Sequence, residues 1–116
     1  MVAPSAREVV LVLFPFSDLS QAKLRPAVVL ANTDRARGDH VMCQITSNPY
    51  GDRQAVEITD NSFIAGSLNR VSYARPSKLF TANQSLITSP IGNLKPDFFN
   101  RLIESVVFIL RSGVTQ

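Results

Sequence analysis

Arginines and hydroxyls are what this chain offers for chemistry. His40 is the sole histidine and Cys43 the sole cysteine, so neither a clustered Cys/His zinc site nor a pair of imidazoles acting as acid and base can be assembled. The five glycines are scattered and supply neither a Walker phosphate loop nor a dinucleotide fingerprint. Most Asp and Glu residues fall in segments that read as turns, where capping and solvation account for them, which argues against a two-carboxylate hydrolase. Left standing is a pattern of Arg and hydroxyl residues at strand ends beside polar loops, with Arg25, directly before Pro26, and Thr46 among them. A guanidinium keeps its charge at any working pH, and its planar fork fits a phosphate bidentately, so it can hold a phosphodiester and stabilise the charge added in its transition state. RNA carries its own nucleophile, the 2′-hydroxyl. A protein that aligns it with the adjacent phosphorus and neutralises the phosphate can speed cleavage without a metal. The same residues also have plainer uses, Arg25 in a surface ion pair and Thr46 as an ordinary strand residue.

The elements that must position them follow from periodicity. Glu8 to Phe14 is rich in β-branched residues and stops at Pro15, which predicts a strand buried on both faces. Residues 15–24 are polar in their middle and predict a loop; Pro26 then pushes Arg25 toward extended backbone, and Ala27 to Ala31 reads as the second strand. Asn32 to Asp39 is a charged turn, and His40 to Thr46 a third strand with Val41, Cys43 and Ile45 on one face and Met42, Gln44 and Thr46 on the other. Asn48 to Asp52 is a turn cluster, while Ala55 to Ile58, Val71 to Thr81 and Leu86 to Ile91 read as further strands, with Asp60-Asn61 and Ala65-Gly66 as punctuation. From Pro96 to Arg111 the pattern becomes helical, and Phe98, Phe99, Leu102, Ile103, Val106, Val107 and Leu110 form a stripe expected to lie on the strands. Short strands with no room for crossover helices predict a mainly β fold, a small and strongly bent antiparallel barrel closed by a C-terminal α-helix.

Composition bounds the rest. A chain of 116 residues suits one domain over residues 1–116, and 45% hydrophobic against 18% charged residues suits a folded one. The net charge is +3, and Lys23, Arg25, Arg35, Arg37, Arg53, Arg70, Arg75 and Lys78 all fall in the strand-and-loop part, where a polyanion could be tracked or where they could simply be solvated. Cys43, within an apolar run, is expected to be buried and inert. Residues 1–6 lack the apolar core of a secretory signal, and runs such as Val9 to Phe14 fall short of the ~20 residues needed to cross a bilayer, so the cytoplasm is the expected location, with no membrane contact.

Three segments taken together resemble the MazF/PemK-like toxins of bacterial toxin–antitoxin pairs. They are Glu8 to Asp18 (EVVLVLFPFSD), Lys23 to Leu30 (KLRPAVVL) and Gln44 to Ser47 (QITS); Ser72 to Phe80 and Ile91 to Leu94 resemble the PemK-type branch of that family. The resemblance implies an SH3-like barrel of the MazF/PemK/CcdB type. It also implies sequence-selective, metal- and cofactor-independent endoribonuclease cleavage of single-stranded RNA (mRNA), by a homodimer that a cognate antitoxin neutralises and with which it binds DNA. Arg25 matches the arginine of the family's Arg-Pro motif and Thr46 its third-strand threonine, which implies that Arg25 stabilises phosphate charge and that the Thr46 hydroxyl positions the phosphate. By the same likeness Ser17, Asp18, Ser20, Gln21 and Lys23 would cover the RNA, and Ser47, Asn48, Tyr50 and Arg53 would help choose bases. One residue departs: the family commonly has glycine where this chain has Arg7, a position that would support a tight turn or a close backbone approach. Two other readings share the fold. One is a gyrase inhibitor like CcdB, whose relatives use a tryptophan-containing tail that this Trp-free chain lacks, and the other a degenerate member that binds RNA or antitoxin without cutting.

Overall fold

Runs of Val, Leu and Ile broken by Pro, Asn and Gly leave the chain little choice but to pair short extended segments. The computed structural model describes residues 4–15, 22–34 and 36–113. Its strands are β1 (Glu8–Pro15), β2 (Ala22–Asp34), β3 (Asp39–Thr46), β4 (Val56–Ile58), β5 (Phe63–Gly66), β6 (Ser72–Asn83) and β7 (Ile87–Leu94), and they are followed by the helix α1 (Pro96–Ser112). All pairings are antiparallel, in the order β4-β6-β3-β2-β1-β7-β5. The sheet curls into a half-barrel, and Ser17, Asp18, Ser20 and Gln21 lie outside the described residues.

Both faces of the curled sheet carry apolar clusters. Val9, Val28, Cys43 and Ile45 pack with Phe98 and Leu102 of α1 on one face, whereas Val10, Val12, Ala27, Val29 and Met42 pack with Ala82 and Ile87 on the other. The predicted alternation of β3 and the two-sided burial of β1 are therefore found, although Leu13 is exposed near the strand's end. Burial pushes the Cys43 thiol up to about 12, so it stays protonated and donates to the Arg75 carbonyl at 3.1 Å.

Three boundaries differ from the sequence expectation, each for a physical reason. β2 begins at Ala22, so Lys23 and Leu24 are strand residues paired with Phe14 and Leu13 of β1 where a loop was predicted, and the extended Arg25 pairs with Val12. Pro26 does not end the strand because its nitrogen faces away from β1. The Val29 carbonyl points to the β1 side, accepting from Arg7 N–H at 2.9 Å, and the period of two turns the backbone of Pro26 the other way, toward β3. β5 was read as punctuation, yet it pairs with β7, and its glycine serves close approach. A Cβ on Gly66 would stand 2.2 Å from the Ile91 carbonyl oxygen, and one on Gly92 would stand 2.4 Å from that of Ala65. Finally, the apolar stripe of α1 is only partly covered: Phe98, Leu102 and Val106 are buried, but Val107 and Leu110 are exposed, and so is Phe108. The helix itself begins with Pro96 at its first turn, carries Asp97 at the positive end of its dipole and stops at the left-handed Gly113.

Arg7, where the family commonly has glycine, holds a φ of 78°, the left-handed conformation that glycine takes freely. Two hydrogen bonds fix it there, its N–H to Val29 and its carbonyl from Leu94 N–H at 2.9 Å. The turn thus survives without glycine because β2 and β7 hold it from both sides.

His40 is buried on β3, and its Nδ1 meets the Asn32 carboxamide oxygen. That oxygen can only accept, so the neutral ring carries its proton on Nδ1 and leaves Nε2 buried without a partner among the described residues. Burial lowers the His40 pKa, and Asp39 opposes this only in part. The unfolded chain therefore binds a proton that the folded one refuses, and His40 makes stability fall as pH drops below about 6.5. Urea midpoints at pH 8 and pH 5 are expected to differ less in His40→Gln than in the wild type; equal differences would remove this assignment.

Candidate active site

The ladder between β2 and β3 begins at Ala27, opposite Gln44, and Val28 faces Cys43. Continued by two residues, the same register would set Arg25 across from Thr46. Pro26 has no N–H to give β3, so the ladder stops short of that pair and the two strands part. A cavity of about 370 Å³ opens at this point. Arg25, Pro26, Ile45, Thr46 and Ser47 form one side of it and Leu11 and Ile91 add apolar surface, while Ser67, Asn69, Arg70 and Ser72 close it from the β5–β6 side. Among the described residues its walls bring two guanidiniums and four hydroxyls together, and none of the described lining residues is Asp, Glu or His. Among the described residues no three His, Cys, Asp or Glu side chains stand close enough to share a metal ion.

Thr46 is half-buried and already engaged. Its hydroxyl donates to the Asn48 carbonyl at 3.0 Å and accepts from the Asn48 N–H at 3.2 Å, which folds the chain sharply at the end of β3. The next turn is built in the same manner, with the Asn48 carboxamide oxygen accepting from Tyr50 N–H at 2.9 Å. Tyr50 is left-handed, with φ 52°, and 78% exposed, so its ring does not pack over the barrel rim. Beyond it Asp52 accepts from Gln54 N–H at 2.9 Å and from Arg75 Nε at 2.9 Å. Burial disfavours the Asp52 carboxylate, but the hydrogen bonds from Arg75 and Gln54 and the charges of Arg75 and Lys78 outweigh it and hold the carboxyl below its usual value.

Other residues singled out in the sequence scatter. Lys23 is exposed on β2, and Arg53 lines a different hollow against α1 with Arg101, Glu104 and Phe108. Arg75 is committed to Asp52 and Lys78 borders an apolar recess with Phe14 and Phe80, so neither lines the Arg25 cavity. Sequence reasoning missed Ser67, Asn69 and Ser72 as neighbours of Arg25. Their signal was a polar stretch after Gly66, easily taken for a plain loop.

The chain belongs to the PemK-like, MazF-like toxin family of type II toxin–antitoxin systems, which matches residues 5–110. Among solved structures it is similar to MazE-MazF (Form-III) from Deinococcus radiodurans, with a TM-score of 0.74 at 16% identity, covering 98% of this chain and 100% of that one. MazF (Form-I) from the same organism gives 0.73 at 18% identity, covering 96% and 99%. An endoribonuclease in complex with its cognate antitoxin, from a mycobacterial species, gives 0.66 at 15% identity, covering 100% and 99%. No curated protein matches the sequence significantly. No helix among the described residues is long and apolar enough to cross a membrane.

Proposed function

We propose that the protein is a sequence-selective endoribonuclease toxin that cuts single-stranded RNA at the Arg25–Thr46 cavity without a metal or cofactor. The observation that carries this reading is the gap at the end of the β2–β3 ladder, where a guanidinium and an alcohol border one cavity large enough for a nucleotide phosphate and its sugar. In the reaction the 2′-oxygen forms a bond to phosphorus and the bond to the 5′-oxygen breaks. The 2′-proton passes to water, and water protonates the leaving 5′-oxygen. Products are a 2′,3′-cyclic phosphate and a 5′-hydroxyl. Arg25 supplies charge where the pentavalent phosphorane gains it, while Thr46 and Ser47 orient the non-bridging oxygens. Lys23 and the exposed Tyr50 flank the strand's path, Tyr50 as a stacking surface for a base, and Asn48 offers its amide NH₂. Ser17, Asp18, Ser20 and Gln21 cover the RNA, and Arg53 meets a more distant part of it.

The partners follow the family. The similar solved structures include toxin–antitoxin complexes, and exposed Val107, Phe108 and Leu110 at the end of α1 give the apolar surface that a second copy or an antitoxin segment would cover. The working form is a cytoplasmic homodimer, neutralised by an acidic, partly disordered antitoxin with which it binds DNA. Incubating the purified protein with a mixed-sequence transcript in excess chelator, then mapping the ends, tests the reading. Discrete cuts with 2′,3′-cyclic phosphate ends are expected, and an intact transcript overturns it.

Thr46 has two duties on this reading, and they can be separated. Thr46→Ser keeps a hydroxyl that still accepts from Asn48 N–H and can turn its one proton from the Asn48 carbonyl to a phosphate oxygen, so cleavage is expected within about threefold of wild type. Thr46→Val loses both hydrogen bonds to Asn48, about 1–2 kcal/mol of stability, and slows cleavage by about tenfold or more. Thermal melts and single-turnover rates on the two variants check this. A valine variant that cuts like the serine variant would leave Thr46 with the turn alone.

A further inference from the structure

The loop from β5 to β6 is a wall between two hollows. Asn69 and Arg70 line the Arg25 cavity on one side and, on the other, a hollow of about 480 Å³ bordered by Thr59, Asp60, Asn61 and Val71. The wall is built rather than loose. Asn69 is left-handed, with φ 63°; its N–H donates to Ser67 Oγ at 2.9 Å, and the Ser67 hydroxyl donates to Asp60 Oδ1 at 2.6 Å. The turn that bears Asp60 is held in its own right, since Ser62 Oγ accepts from Thr59 N–H at 3.1 Å and the Ser62 carbonyl accepts from Lys95 N–H at 2.9 Å. The Ser72 hydroxyl donates to the Arg70 carbonyl at 3.3 Å, so the backbone of Arg70 is set while its side chain stays exposed.

These two sides suit the two halves of a nucleotide. Arg70 puts a cation on the rim nearest the cavity where the scissile phosphate would sit, and the planar fork fits another phosphate of the same strand. The hollow beyond has the opposite preference. The Asp60 carboxylate repels phosphate, and an acidic peptide for the same reason, but its Oδ2 makes no hydrogen bond among the described residues and can accept from a base N–H. Cytosine and adenine present an exocyclic amino group to such an acceptor and guanine presents two donors side by side, whereas the N3–H of uracil lies between two carbonyls that a carboxylate repels.

We propose that Arg70 binds the phosphate next to the scissile one and that the Asp60 hollow seats a flanking base, favouring those that carry an amino group over uracil. The proposal rests on the RNA-cutting reading for its ligand, and it is a binding site that cleavage itself does not require.

Binding of uncuttable 2′-O-methyl oligocytidylate and oligouridylate, measured by fluorescence anisotropy over a salt series, tests it. The wild type is expected to prefer oligocytidylate by about fivefold or more. Asp60→Asn keeps the Oδ1 acceptor for Ser67 but turns Oδ2 into a donor, so the preference should move toward oligouridylate with the melting temperature unchanged. Arg70→Gln should weaken both probes alike and reduce the slope of log affinity against log salt by about 0.7. A wild type without base preference, a ratio indifferent to Asp60→Asn or a salt slope indifferent to Arg70→Gln each overturns the proposal. Binding with these signatures by a protein that never cuts RNA would remove the cleavage reading and leave the subsite; cutting that depends on Arg25, with ratio and slope unmoved, would do the reverse.

Discussion

Arg25→Ala is expected to lower the cleavage rate of bound RNA by about two to three orders of magnitude while leaving the melting temperature within a few degrees of wild type. The two halves of this expectation come from different facts. The side chain is exposed, so its removal opens no void in either apolar cluster, and the strand beneath it stays paired because Val12 meets the Arg25 backbone whatever the side chain is. The rate falls because no acid or imidazole stands among the described residues that line the cavity; on this reading stabilising the phosphorane is left to the guanidinium and the alcohols around it. Arg25→Lys keeps the charge but gives up the planar fork, and it should recover only part of the loss. Single-turnover rates on a defined transcript, with melts as the control for folding, are the measurement. An alanine variant that cuts at the wild-type rate would move catalysis to another place, and the next candidate would be Arg70 on the facing wall.

What could be read from the sequence divides along the range of the interactions. β1 and β3 were legible because a period of two and β-branched composition are local signals, and α1 because Pro96, Asp97 and a 3.6-residue stripe are local too. β2 and β5 were misread at the residues whose meaning depends on distant partners. Pro26 reads as a strand breaker until the side that its nitrogen faces is known, and Gly66 reads as a turn until Gly92 is found against it. The end of α1 was given to the core because Val107 and Leu110 keep the period, but both side chains are exposed. At the candidate site, Arg25 and Thr46 were singled out through the Arg-Pro and Ile-Thr-Ser segments, and both line one cavity. Arg70 and Asn69 reach that cavity from a part of the chain whose pairing with β7 was not foreseen. Arg53 went the other way, since a count of basic residues cannot say which of them share a surface.

Arg75 shows the same limit in energetic terms, and it carries the other large effect. Its Nε lies 2.9 Å from Asp52, with only 20% of the Arg75 side chain and 11% of the Asp52 side chain exposed. Removing one partner of a pair this dry leaves the other charge poorly solvated, so Asp52→Ala and Arg75→Ala should each destabilise the fold by about 2–3 kcal/mol, somewhat less than for a fully buried pair because both groups still touch water. Asp52 also loses its hold on Gln54 N–H, so the Asp52 variant should loosen the turn that follows Thr46 and bring down RNA affinity together with stability. The pair has a pH signature of known sign. The Asp52 carboxyl is held below its usual value in the fold, so its contribution is whole above the unfolded pKa of about 3.9 and is lost as pH falls through the lower folded value. Chemical denaturation at pH 7 and pH 3 should therefore show a smaller gap between wild type and Asp52→Ala at the acid end. Replacing both residues at once, as Asp52→Asn with Arg75→Gln, should cost less than the sum of the two alanine variants, because no unpaired charge is left behind. If the double replacement instead costs the full sum, the two side chains act independently, and the turn beside the cavity is held by its backbone and not by this ion pair.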